Sequence, residues 1–434
     1  MTERPTSERL FTPAFAALLL ACVWYFLVTG MMFEAIPRFV STTLGGQDWG
    51  VGVAMGIAGL AAALLRLPAG RLTDLKGRRW VLVLGSAVAG ASMLGLLAAR
   101  SISAVVGFRL LTGLAEAAYF VAAATALQDL APAGRRGEAT SYFSGVAYVG
   151  FALGPVLAEW LIKRYSFDVV WLLAAGLSLI AAVLSLRVPQ NRSSVLPDGR
   201  FWPKPLLHPA ARAPGAVLLI GLMGFASFVT FAALWATDVG IARAGDVFML
   251  LAATVLTVRV LTARVVDRIG ARATATVALS ASAAGLAVMA LWQAPAGVYL
   301  GTVVLAVGQG FMFPALFTLV ILAAPETERG QAVGAFSISF DLAFGLGGVL
   351  AGTVANWLGG IPAAFWFGAS ACGLALVVAR AIIPAPRSPR DSNPPPTEGG
   401  DAGGAVGGHS KAAGAPPVAP PGHPDTTGFR PAPE

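Results

Sequence analysis

The sequence predicts an all-α integral membrane protein, with about twelve spanning helices in two six-helix pseudo-repeats. Three observations predict it. Of 434 residues, 56% are hydrophobic and only 12% charged, against roughly a quarter charged in soluble domains. The apolar residues gather in runs of about 20, the length that crosses a bilayer as a helix. The chain also repeats itself 193 positions on: Arg66–Arg79, RLPAGRLTDLKGRR, returns as Arg259–Arg272, RVLTARVVDRIGAR. The net charge of +8 does not point to nucleic acid. Most arginine lies in short loops between apolar runs, the pattern of positive-inside topology.

In order, residues 1–12 form a polar N-terminus and residues 13–186 the first half. The first run lacks a signal-peptide cleavage pattern and reads as a retained span. The six spans expected here are Pro13–Met32, Gly50–Leu67, Trp80–Ala99, Ser103–Leu127, Glu138–Ile162 and Val169–Leu186. Residues 187–212, rich in proline and basic side chains, form a linker. The second half, 213–383, contributes Gly215–Ala236, Val247–Val265, Ala273–Trp292, Gly297–Ala323, Gln331–Trp357 and Pro362–Ile383. Residues 384–434 are rich in Pro, Gly and Ala with few large apolar side chains, too few to offset the entropy of ordering. Arg66–Arg79 and its copy are expected as short basic loops between helices. Arg71, Lys76, Arg78, Arg79, Arg135, Arg136, Arg264, Arg268, Arg272 and Arg329 then share one face, which the positive-inside rule makes cytoplasmic. Both termini follow it there.

The repeat extends beyond the loops. Arg136-Gly137 returns as Arg329-Gly330, Leu153-Gly154 as Leu346-Gly347, and Val156-Leu157-Ala158 as Val349-Leu350-Ala351. Parallel repeats of this kind occur in transporters that rock two halves around a midplane site.

Gly70, Leu72, Asp74, Gly77, Arg78 and Arg79 match the loop signature G-x-L-x-D-x-x-G-R-R. Arg109 and Gly113 fit an R-x-x-x-G motif on the fourth span. Gly150-Phe-Ala-Leu-Gly154-Pro155 is similar to the G-x-x-x-G-P motif of proton-driven exporters, although Ala158 and Glu159 stand where two glycines usually follow. On these residues the chain resembles the major facilitator superfamily over about residues 12–384, and within it the arabinose-efflux-like and drug-efflux-like exporters. The resemblance implies a cytoplasmic gate of Gly70, Asp74, Gly77, Arg78 and Arg79, with Arg264, Asp267 and Arg268 as its copy. Asp74 would face Arg78, or the N-terminal end of the eleventh helix near Gly330; Asp267 would face the fifth near Glu138. The plainer alternative is that these arginines only set topology.

Charges inside a membrane are costly and point to function. Arg109, Gly113 and Glu116 are spaced to share one face of the fourth helix, and Glu116 corresponds to Gln309 in the other half. These residues and Asp341, in FSISFDLAFGLGG, are candidates for proton coupling or substrate contact, with a structural ion pair as the alternative. Phe336, Phe340 and Phe344 suggest an aromatic wall beside Asp341, suited to an amphipathic or cationic molecule. Glu34, four residues before Arg38, reads as an interfacial ion pair or as an entry or proton-coupling site. Arg66 and Arg259 are expected to snorkel from helix ends. Gly150, Gly154 and Pro155, with Gly345, Gly347 and Gly348, are expected to pack the two halves together, since small residues let membrane helices approach.

Cys22 and Cys372 lie far apart in spans, and His208, His409 and His423 fall in the linker and tail. No phosphate loop, nucleophilic triad or metal cluster is present in the sequence. The expectation is a monomeric secondary transporter of the plasma membrane without cofactor, in which protons energise export of a small organic molecule. An importer of a sugar or metabolite is the alternative, and a non-transporting receptor or scaffold is a third.

Overall fold

The computed structural model describes residues 10–191, 208–262, 269–325 and 328–383. Within them lie twelve α-helices, numbered α1–α12 in chain order, and no strand. Helices α1 (Pro13–Arg38), α2 (Asp48–Lys76), α3 (Arg78–Leu96), α4 (Ile102–Leu130), α5 (Arg136–Arg164) and α6 (Phe167–Ser185) precede residue 191. After it come α7 (Pro209–Asp238), α8 (Gly245–Leu261), α9 (Ala271–Leu291), α10 (Pro295–Ala323), α11 (Arg329–Leu358) and α12 (Ile361–Ile382). Eleven are long and apolar enough to cross a membrane; α8, with 17 residues, ends beside residues outside the described set. Apolar side chains cover the periphery, Leu64, Leu179 and Trp357 among them, as a lipid-facing surface requires. The tail, and Arg264, Asp267 and Arg268, lie outside the described residues.

Local chemistry sets the helix starts. Thr12 accepts from the Phe15 N–H at 3.2 Å, with Pro13 in the first turn, and Ser101 accepts from Ala104 at 3.2 Å. Such caps satisfy amide groups that have no partner inside the helix.

The basic stretch Arg66–Arg79 is not a loop, contrary to expectation. Helix α2 runs through it to Lys76, carrying Pro68 internally, and only Gly77 breaks the path. The apolar run ends near Leu67, but leucine, alanine, arginine and lysine still favour helix. Hydropathy marks where the membrane ends, not where the helix ends. Gly77 has φ 85°, and its repeat counterpart Gly270, ahead of α9, has φ 82°. A left-handed residue is needed at each sharp reversal, and glycine adopts it without steric cost.

The halves meet most closely along α2 and α11. A Cβ built on Gly52 would stand 2.5 Å from the Gly348 carbonyl oxygen, and one on Gly56 2.3 Å from that of Gly345. Gly345 and Gly348 therefore join the halves. Gly347 instead meets Met223 and Ala226 of α7 in its own half. Gly150 and Gly154 also pack internally, against Phe26, Gly30 and Met31 of α1, and Pro155 is buried in the same helix. The expectation that the α5 glycines bridge the halves is thus corrected. Spacing shows that a helix can be approached closely, and says nothing of which neighbour approaches. Gly56→Val should drive α2 from α11 and cut transport at least ten-fold at unchanged membrane expression; a rate within two-fold of wild type would show that this contact is dispensable.

Candidate functional site

Between the halves lies a cavity of about 80 Å³, with walls from α1–α5, α7 and α11. Arg109, Glu116 and Asp341 all line it, joined by Thr29, Thr112 and Thr230. Phe340 and Phe344 form part of its wall, with ring centroids 4.9 Å apart. Phe336 does not; it packs on Phe313 and Phe317 in the second half. Tyr25, also at the wall, stacks on Tyr119 at 3.8 Å.

The cavity charges are handled differently. Asp341 is gripped by both prongs of the Arg66 guanidinium, through Nε and Nη2, across the interface between halves. Arg66 also lies over the Phe120 ring, 4.8 Å from its centroid. Snorkelling is therefore corrected for Arg66: α2 continues ten residues beyond it, placing it on the order of 15 Å from the helix end. Arg109 donates from Nε to the Ala54 carbonyl at 3.1 Å and from Nη2 to that of Met55 at 3.5 Å. Among the described residues Glu116 makes no ion pair and no side-chain hydrogen bond. Of the two carboxylates in the described cavity wall, Asp341 is paired and Glu116 is left open.

Gln309, the counterpart of Glu116, does not reach the cavity. It is buried against α9, where Nε2 donates to Ser282 Oγ at 3.3 Å. Gly308 lets α10 press onto Ala278 and Ser282, and this turns the amide away from the halves' interface.

The repeat reappears as a pair of contacts. Arg259, the counterpart of Arg66, lies 4.7 Å from the Tyr148 ring centroid, and its Nη2 donates to the phenol oxygen at 3.0 Å. Tyr148 is in turn the counterpart of Asp341. Each half thus sends one arginine into the other at equivalent places. One meets a carboxylate, the other an aromatic ring. Arg259, too, does not snorkel.

The motif residues bind their own half. Arg78 pairs with Asp129 of α4 at 3.0 Å and with Asp74 at 3.7 Å, and donates to the Asn191 carbonyl. Arg79 donates to the Val188 carbonyl at 2.6 Å. Gly77 is closely covered by Gln190, while Gly70 has only Val121 near it. Asp74 faces Arg78, and the alternative partner at the start of α11 is not among its described contacts.

At the face opposite this motif is a cluster of which the sequence singled out only the Glu34/Arg38 pair. Glu159 of α5 accepts from the backbone N–H of Ala244 at 3.0 Å and of Gly245 at 2.8 Å, at the start of α8 in the other half. Lys163 holds the same carboxylate at 2.7 Å and donates to the Ala242 carbonyl. Arg38 pairs with fully buried Glu34 at 2.5 Å, approaches Glu159 at 3.6 Å and donates to Thr237 of α7 at 3.0 Å. Glu34 is therefore part of an inter-half seal and outside the cavity. The available signals were two i, i+4 acid–base pairs, Glu34/Arg38 and Glu159/Lys163, in otherwise apolar helices.

Comparison with known proteins supplies the lineage. The family model described as Major Facilitator Superfamily matches residues 13–297 and 216–424. An MFS-type transporter of Salmonella typhimurium is 30% identical over 372 residues, covering 83% of this chain and 92% of the relative. Among solved structures, the nucleoside transporter NupG aligns with a TM-score of 0.65 at 16% identity, covering 85% of this chain and 98% of that one. A POT family transporter in complex with a thioalcohol-conjugated peptide aligns with a TM-score of 0.71 at 11% identity, covering 85% and 95%. At such identities the structural likeness speaks for the fold alone.

Proposed function

The chain belongs to the Major Facilitator Superfamily of membrane transporters, and from that premise we propose that it is a proton-coupled exporter of a small organic molecule, working by alternating access. The observation carrying this reading is the cavity between the halves, with a carboxylate, Glu116, in its wall that is unpaired among the described residues. A proton and a substrate can compete for such a group, which is the simplest way to couple their movements.

The architecture supports the alternation. One face is sealed by the α2–α11 glycine contact and by Glu159 on the start of α8. Toward the motif face the cavity is floored by Arg66–Asp341 and flanked by Arg259–Tyr148. Opening either side needs a distinct set of contacts to part. The motif face carries the excess of arginine and is the cytoplasmic one in this reading, in a plasma-membrane monomer with both termini inside. Protons supply the energy and no cofactor is needed. The division at residues 187–212 and the tail from 384 are part of the same proposal. Export rests on the likeness of Gly150–Pro155 to the exporter motif.

The test uses inverted membrane vesicles with an acidic interior and a pH-sensitive dye. A transported compound should dissipate the gradient in vesicles containing the protein and not in empty ones. A compound accumulated by intact cells in a protein-dependent way, with no effect on the gradient, would favour import.

A further inference from the structure

We infer that the cavity takes a monovalent organic cation, with Glu116 as its counter-ion, and exchanges it one for one with a proton without net charge movement. This rests on the proton-coupled reading above and adds the substrate class and the stoichiometry.

The chemistry follows from which charges are already occupied. Asp341 holds both its oxygens on Arg66. A substrate amine drawn to Asp341 would leave a buried guanidinium without its partner, which is strongly unfavourable. Arg109 is turned to the Ala54 and Met55 carbonyls, so two of its donor positions are filled before any anion arrives. Glu116 remains, on the cavity wall and unpaired among the described residues. The same cavity wall carries aromatic rings and flexible thioethers, including Tyr25, Phe33, Phe344, Met32 and Met93. Aromatic faces attract cations, and methionine adapts to varied apolar shapes.

The stoichiometry follows from a count of charge. The charged and titratable groups that act electrostatically on Glu116 are Arg109 on its own helix, Arg66 from α2, Tyr25 from α1 and Asp341 from α11. With Glu116 protonated, Arg66 and Arg109 against Asp341 leave one positive charge. With Glu116 ionised and a monovalent cation beside it, the total is again one positive charge. The two loaded forms cross the membrane with the same charge. In the exchange one O–H bond at the Glu116 carboxyl breaks, the proton passes to water on that face, and the cation takes its place.

The experiment uses the full chain in proteoliposomes enclosing a pH-sensitive dye. The probes are the permanent cations N-methylquinolinium and ethidium, the anion benzoate and the zwitterion phenylalanine. Neither cation carries a dissociable proton in this range, so any proton counted has passed through the protein. A cation should drive proton flux, at an initial rate unchanged within two-fold when valinomycin and potassium set the membrane potential. Glu116→Gln should lower that flux at least ten-fold while still eluting as a folded monodisperse protein, and Glu116→Asp should recover part of it. Flux driven by benzoate or phenylalanine but not by the cations would overturn the substrate class and leave proton coupling standing. Cation-driven flux that scales with potential would overturn the one-for-one exchange. Wild-type flux in Glu116→Gln would remove the counter-ion. Silence from all four probes with folded protein would take down the proton-coupled reading itself, and this inference with it.

Discussion

Asp341→Asn should reduce transport at least ten-fold and destabilise the protein by about 3–5 kcal/mol, the cost of breaking a buried ion pair by removing one partner. Arg66 and Asp341 are both nearly inaccessible, with side chains 8% and 5% exposed. The variant leaves a guanidinium in a low-dielectric site with an amide that cannot neutralise it. Arg66→Met alone should be about as harmful. The double variant Arg66→Met/Asp341→Leu should regain most of the stability, because two apolar side chains replace the pair without stranding a charge. It should not regain transport if breaking and remaking the pair belongs to the cycle. The measurement is a thermal-unfolding series in detergent beside transport in vesicles. Additive losses in the double variant would show that the two residues act independently.

The second large effect concerns the opposite face. Glu159→Ala should release α8 from α5 there and shift the resting population toward opening on that side. Glu159 ties two backbone N–H groups of the second half to Lys163 of the first. Hydrogen bonds to a charged group contribute roughly 1.5–3 kcal/mol each, and a change of about 2.8 kcal/mol moves a population a hundred-fold. A cysteine introduced at Thr29, on the cavity wall, reports the change through labelling by an impermeant thiol reagent from that face. The native Cys22 and Cys372 are fully buried and give little background. Labelling should rise at least ten-fold in Glu159→Ala and less in Glu159→Gln, whose amide oxygen can still accept one bond. Equal labelling of variant and parent would mean that the other contacts of this face, the α2–α11 glycine packing and the Arg38–Thr237 and Lys163–Ala242 hydrogen bonds, hold it without Glu159.

Glu159 also shows how far motif reading reaches. In sequence it was only a departure from the glycine pattern after Pro155. In the structure it is an anchor between the halves, because α8 begins where that carboxylate ends. Arg66 and Arg259 show the same limit. Their recurrence 193 positions apart was legible, and so was some shared role. Their partners were not: Asp341 and Tyr148 are themselves repeat counterparts, but an aspartate and a tyrosine share no sequence likeness to reveal it. Glu116 and Gln309 fail in the other direction. Their repeat positions match, yet one faces the cavity and the other faces α9, since Gly308 draws α10 inward.

The sequence by itself determined the helices, their approximate number, the duplication and the family. Each of these depends on local pattern: apolar runs set by bilayer thickness, and motifs read from residues close together in the chain. It also placed Arg109, Glu116 and Asp341 among the few charges inside the membrane, where the cost of burial leaves little room for chance. Only the tertiary structure decided which of those charges is spoken for. Pairing depends on which helix faces which, and a span carries apolar residues all round, so its hydrophobic pattern does not say which face turns to a neighbour. That is why Asp341 turned out to be bound by an arginine 275 residues away, and Glu116 to be the carboxylate left open to the cavity.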